Sequence, residues 1–244
     1  MEPKTKIGEA QVQQAFVEHL KYAISEKFGP KYPNNYGAFN GSQDKKYADY
    51  FAGVNAQNIL IEFKEFKSEI SSESAKPLRK KLCETISDSN LPRSINAHFI
   101  SWRLENSSDN NIVLKIDTYL PTVGPLFGKV FSGKHEKDIT KFVDDFLDKK
   151  TGISNEDFEL YIKELSNIAG GKGGASFYGV HVTFDPVDGL KLTTFSKIAE
   201  LIAFSKNLNL SKLPSPEDDE PTSTPTAPTA PTAPTAPKRG GRRL

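Results

Sequence analysis

Residues 58–67 read NILIEFKEFK: an apolar run with Glu62 and Lys64 inside it, and Asp49 thirteen positions upstream of Glu62. A charge in an apolar strand is costly unless something pairs with it. Ile59, Ile61 and Phe63 project to one side of such a strand, while Leu60, Glu62 and Lys64 project to the other. The two charges therefore share a face. The run 47–53, which carries Asp49, reads as a neighbouring strand, and the link Val54 to Gln57 reads as a hairpin turn.

Around this pair, helical spacing of Val12, Phe16, Leu20, Ala23 and Ile24 predicts a helix over 8–28, stopped by Gly29-Pro30. Pro33 and Gly37 predict an irregular stretch after it. A second helix is predicted over about 75–88, with Pro77 in its first turn. Its buried stripe is Leu78, Leu82 and Ile86, which leaves Arg79, Lys80 and Lys81 at the rim. Strands are expected over 95–103 and 112–120, joined by the polar turn 105–111. Strand, helix, strand implies a right-handed crossover within one sheet. Helices over about 136–149 and 155–168 follow, then the glycine-rich AGGKGGAS, a hairpin over 176–195 and a helix over 196–206.

Beyond Pro214 an acidic knot (Glu217, Asp218, Asp219, Glu220) leads into four TAP repeats and a basic tip with Lys238, Arg239, Arg242 and Arg243. Such composition does not build a core, and repeated proline favours an extended spacer. The expected organisation is one globular domain, 1–212, with a disordered tail, 213–244. The four acids and four bases of the tail cancel, so the body carries the chain's whole net charge of +1. That argues against non-specific, histone-like binding of nucleic acid. The single cysteine, Cys83, excludes an internal disulfide and a zinc knuckle. No leader-like or membrane-spanning apolar stretch is visible, so a cytoplasmic protein without membrane contact is expected.

Asp49 and Glu62 on adjacent strands offer the hard oxygens that Mg2+ prefers, and the Phe63 carbonyl between Glu62 and Lys64 adds a third. Lys64 on the Glu62 face is placed to orient a water or to stabilise phosphate charge. Helix, strand with Asp49, strand with Glu62-Phe63-Lys64, helix, strand resembles the PD-(D/E)XK nuclease superfamily across residues 8–120. Ala48 stands where that family's motif has proline. The resemblance implies an α/β fold with a restriction-endonuclease-like αβββαβ core and a mixed central sheet, residues 121–212 adding helices and a hairpin. It implies a Mg2+-dependent DNA endonuclease, with Mn2+ as a substitute metal. Asp49 and Glu62, with the Phe63 carbonyl, would hold the metal, Lys64 would assist catalysis, and Glu9, one turn before Val12, would complete the acidic cluster.

Arg79, Lys80 and Lys172 are candidate nucleic-acid contacts, and DNA is the expected partner, with a second copy or a protein partner helping to hold it. Asp44 is an alternative metal ligand. Lys67 would replace Lys64 only if a bulge intervenes, and Glu65 is expected to face solvent or be paired. His98 is expected in sheet packing. Two other outcomes stay open: an exposed edge strand on which Glu62 and Lys64 pair across solvent, and a non-catalytic nuclease-like scaffold tethered to a partner through the proline-rich tail.

Overall fold

The structure, a computed structural model, describes residues 8–39, 47–105, 112–133, 136–169, 177–185 and 187–207. All of these belong to one compact unit, Met1–Lys212. The segment Leu213–Leu244, Asp44, Lys172 and most of AGGKGGAS lie outside the described residues.

Helix α1 (Glu9–Phe28) buries Val12, Phe16, Leu20 and Ile24, one residue per turn along a single stripe. Gly29 ends it at φ 89, a conformation open to glycine. The stretch expected to be irregular is instead strand β1 (Asn34–Phe39). Its residues alternate half-buried and buried, and it pairs antiparallel with β2 (Tyr50–Val54). A tight turn joins β2 to β3 (Gln57–Phe66), with Asn55 at φ 52 and Ala56 at φ 61. Two successive left-handed residues make the type I′ turn that matches strand twist in a hairpin.

The chain then runs through a 3-10 segment, Lys67–Ala75, into α2 (Pro77–Thr85) with Pro77 in its first turn. The strand expected from residue 95 begins later: Leu91–Ala97 is a short helix, α3, and β4 (His98–Arg103) follows. β4 lies parallel to β3 in the same sheet, as a crossover connection requires. β5 (Leu114–Thr118) returns antiparallel and runs directly into helix α4 (Tyr119–Val123). The short β6 (Lys137–Asp138), α5 (Ile139–Leu147) and α6 (Asn155–Ile168) come next. The hairpin β7 (Phe177–Asp185) and β8 (Gly189–Phe195) precedes α7 (Ile198–Asn207).

All eight strands join one mixed sheet in the order β6-β5-β4-β3-β2-β1-β7-β8. The C-terminal hairpin therefore widens the central sheet by docking on β1. One apolar cluster gathers Val12, Phe16, Ile59, Ile61, Phe63, Phe99, Phe142 and Phe146, placing α1 and α5 on one face. The other gathers Leu60, Ile100, Trp102, Leu82, Tyr119, Phe158, Leu165 and Leu201, placing α2, α4, α6 and α7 opposite. The result is helix, sheet, helix in three layers. The alternation read from β3 holds, but both faces are covered. β3 lies between β4 and β2, so it is not an exposed edge strand. Among the described residues no helix is long and apolar enough to cross a membrane.

Candidate active site

The β2–β3 pairing stops at Tyr50 opposite Ile61. Asp49 closes it: its N–H donates to the Ile61 carbonyl (3.2 Å), and its Oδ2 accepts the Phe63 N–H (2.7 Å). Beyond that point β3 projects past the end of β2. The N–H and C=O of one strand residue lie on the same edge, so the Phe63 carbonyl shares the edge on which its N–H meets Asp49.

At this projecting end Glu62 is fully buried and Lys64 only 3% exposed. The Lys64 ammonium lies 3.4 Å from Glu62, 3.2 Å from Glu9 and 3.1 Å from Glu73. Glu9 belongs to the first turn of α1. The structure thus brings together Asp49, Glu62, Lys64 and Glu9, four residues singled out from sequence.

Three participants were not foreseen in these roles. Glu73, in the 3-10 segment, is fully buried, and its Oε2 accepts the Tyr119 hydroxyl at 2.6 Å. Lys76, the residue between the 3-10 segment and α2, bridges Glu62 Oε1 and, at 2.8 Å, Glu73 Oε1. Arg79 corrects the expectation of a rim position. It is 1% exposed, and its guanidinium donates to Glu62 Oε2 (2.8 Å) and to the Tyr47 carbonyl (2.9 Å). It also lies 3.6 Å from Glu73 and 5.2 Å from the centroid of the Tyr119 ring. The physical reason is the buried pair Glu62 and Glu73, whose Oε2 atoms both face the planar, forked guanidinium of Arg79. A lone arginine in a polar helical turn gives no apolar signal, so periodicity could not reveal this inward placement.

Electrostatics follow from the packing. Burial raises the Asp49 pKa and the Glu62 charge adds to it; the Phe63 N–H, Lys64 and Lys76 pull it back, leaving it at about 7. Burial also opposes charge on Glu62, but Arg79, Lys76 and Lys64 outweigh it and hold its pKa below the ordinary value. Burial disfavours the Lys64 ammonium, yet Glu62, Glu73 and Glu9 overcome that and raise its pKa. Lys64 is therefore a fixed positive charge. His98 sits behind the cluster, stacked on Tyr119 at 4.2 Å between ring centroids, with Nδ1 2.9 Å from the Tyr161 hydroxyl. Burial and then Arg79 drive its pKa well down, so it is neutral. It packs within the sheet, as expected.

The remaining candidates lie elsewhere. Lys80 is exposed on α2, 3.9 Å from Glu84. Lys67 pairs with Glu136 at 2.5 Å and lies over the Trp102 ring. The β3–β4 register does shift between Lys64 and Phe66, but Lys64 keeps the central place. Glu65 is buried and paired with Arg103 at 2.9 Å.

Two carboxylates and a backbone oxygen fit a Mg2+ ion, which takes one or two carboxylates and fills its octahedron with water and substrate oxygens. Burial first and repulsion from Glu62 second raise the Asp49 pKa, and a nearby divalent charge would relieve that repulsion. Among the described residues no group of three or more His, Cys, Asp or Glu side chains is gathered closely enough to hold a metal by itself. No protein-family model matches the chain, and no curated protein or solved structure is significantly similar to it.

Proposed function

We propose that this chain is a metal-dependent phosphodiester hydrolase, a Mg2+-dependent DNA endonuclease with the PD-(D/E)XK arrangement. One observation carries the reading. Glu9 from α1 and Glu62 of β3 both lie within 3.4 Å of the ammonium of Lys64, the lysine two residues after Glu62, and Asp49 grips the backbone between Glu62 and Lys64. The element order supports it: a helix, an antiparallel meander of three strands, helices, and a strand parallel to the third.

Asp49, Glu62 and the Phe63 carbonyl would hold the metal. When bound, Mg2+ supplies Lewis acidity toward a phosphoryl oxygen and lowers the pKa of a coordinated water. Lys64, held charged by three carboxylates, presents positive charge to the developing phosphorane and does not serve as the base. Glu9 is half-exposed where the solvent meets the cluster, placed to orient a water. Burial of Glu62 and Lys64 keeps bulk water from screening these charges.

A second reading draws on Glu62, whose Oε1 is taken by Lys76 and Lys64 and whose Oε2 by Arg79. Such full internal pairing suits a non-catalytic scaffold. A cleavage panel separates the two. Single-stranded, duplex and branched DNA, and RNA, are incubated with the wild type, Glu62→Gln and Lys64→Met in Mg2+, Mn2+ or EDTA. The nuclease reading expects metal-dependent cutting of DNA, reduced about 100-fold or more in both variants. No cutting of any substrate by the wild type, or undiminished cutting by the folded variants, rejects it.

A further inference from the structure

Resting on the nuclease reading, we infer that Lys76 is an internal counter-ion that occupies the metal-facing oxygen of Glu62 in the metal-free protein and withdraws when a divalent cation binds. Three cations reach Glu62, and they differ in their freedom to leave. The Arg79 side chain is 1% exposed, with a second anchor on the Tyr47 carbonyl at 2.9 Å. The Lys64 side chain is 4% exposed and surrounded by Glu9, Glu62 and Glu73. The Lys76 side chain is 30% exposed, and its residue lies between two helical segments. It also borders an open surface cleft with Ala75, Pro77 and Leu78. A long, flexible ammonium stem beside open space can swing to water without disturbing the backbone.

The charge count agrees. Glu9, Asp49, Glu62 and Glu73 face Lys64, Lys76 and Arg79, four carboxylates against three cations. Withdrawal of Lys76 leaves four carboxyl groups against two cations, surroundings that favour a divalent ion. Lys76 also links the two buried carboxyl groups: its ammonium contacts Oε1 of both Glu62 and Glu73. Metal and lysine thus compete for the same carboxylate, and the lysine sets how much metal is needed.

The test is metal affinity, read without any substrate. Mn2+ is titrated into the full chain and the free ion followed by electron paramagnetic resonance, with Mg2+ affinity measured by calorimetry. The proteins are the wild type, Lys76→Met, Lys76→Gln, Lys76→Arg and Glu62→Gln, each checked for folding by circular dichroism. Removing the competing charge in Lys76→Met or Lys76→Gln is expected to tighten Mn2+ binding roughly tenfold. Lys76→Arg should keep the wild-type affinity, and Glu62→Gln should weaken it. Tightening is an outcome that mere structural damage does not produce. Wild-type binding that Glu62→Gln weakens but that folded Lys76→Met and Lys76→Gln leave unchanged or weaken overturns the counter-ion role and leaves the metal site standing. Absence of binding in the wild type and in every Lys76 variant overturns both.

Discussion

Replacing Arg79 with methionine tests the site's electrostatics most directly. The substitution keeps a long apolar stem and removes the guanidinium that bonds Glu62, the Tyr47 carbonyl and, more loosely, Glu73. Lys64 and Lys76 would then be the cations left against two fully buried carboxylates, with the Tyr119 hydroxyl still on Glu73. Breaking a buried ion pair from one side costs about 3–5 kcal/mol, because the surviving charge stays desolvated and under-compensated. For a folded body of this size that corresponds to a fall in Tm of about 6–20 °C. Urea unfolding at pH 7 and differential scanning calorimetry measure it. The double variant Arg79→Met/Glu62→Gln separates the ion pair from lost packing: the cycle should show a coupling of at least about 1.5 kcal/mol. A loss below about 1 kcal/mol in the single variant, with no coupling, would refute the buried network. It would return Arg79 to the surface role of gripping phosphates.

The other predictions concern the scaffold around the site. Burial pushes the His181 imidazole down to about 4, with Nδ1 held 2.5 Å from the Asn35 side-chain oxygen. The unfolded chain binds that proton near pH 6.5 and the native chain does not. This contribution is therefore complete above pH 6.5 and is lost as pH falls from there toward 4, about 3 kcal/mol in all. Urea unfolding at pH 7, 5.5 and 4 should show a shallower pH dependence in His181→Gln than in the wild type; identical slopes would contradict it. In the β2–β3 turn, Ala56 is left-handed at φ 61 and carries a Cβ that this conformation penalises. Ala56→Gly should stabilise the chain by about 0.5–1 kcal/mol by the same assay, and destabilisation would exclude the type I′ turn.

Much of this arrangement is legible in the amino-acid sequence. Helices α1, α5 and α6 carry apolar periods that match their burial, and the β2–β3 and β7–β8 hairpins fall where the sequence places them with only their ends shifted by a few residues, although Leu190 and Leu192 of β8 are exposed. Glu9 follows from the resemblance, which implies an acidic residue on the first helix, and from helical phase, which puts it three residues before the buried Val12. β1 was missed because Asn34–Phe39 has no β-branched residue and contains Gly37. Its strand conformation comes from pairing with β2 on one side and β7 on the other, a non-local cause. α3 was missed because the apolar run from Ile95 looks continuous, although its helix ends at Ala97 and its strand begins at His98. Glu73 stands in a polar 3-10 segment, KSEISSESA, in which only Ile70 and Glu73 are buried. Its burial is set by Lys64, Lys76, Arg79 and Tyr119, contributed by β3, by the connection to α2, by α2 itself and by α4. No window of sequence contains that information.

The energetic balance of the cluster bears on what it is for. Fully buried ion pairs seldom stabilise a fold more than apolar side chains of similar volume would. The opposite stretch of β3 shows the apolar solution at work: Ile59, Ile61 and Phe63 pack against α1 with every side chain satisfied. One residue over, the same strand buries Glu62 and Lys64, and the neighbouring elements commit Glu73, Lys76 and Arg79 to keep them charged. If stability alone were served, an apolar pair at 62 and 64 would let all three partners become ordinary surface residues. The charges also do not spread along the sheet. They gather where β2 has ended and where the Phe63 backbone meets Asp49, the one stretch of β3 with an edge free of β2. A sheet end that keeps costly ionised groups in fixed geometry beside an open strand edge is preorganised for an external charge. The proposed divalent ion and phosphodiester would satisfy both signs at once: the carboxylates would meet the ion, and Lys64 would meet the phosphate.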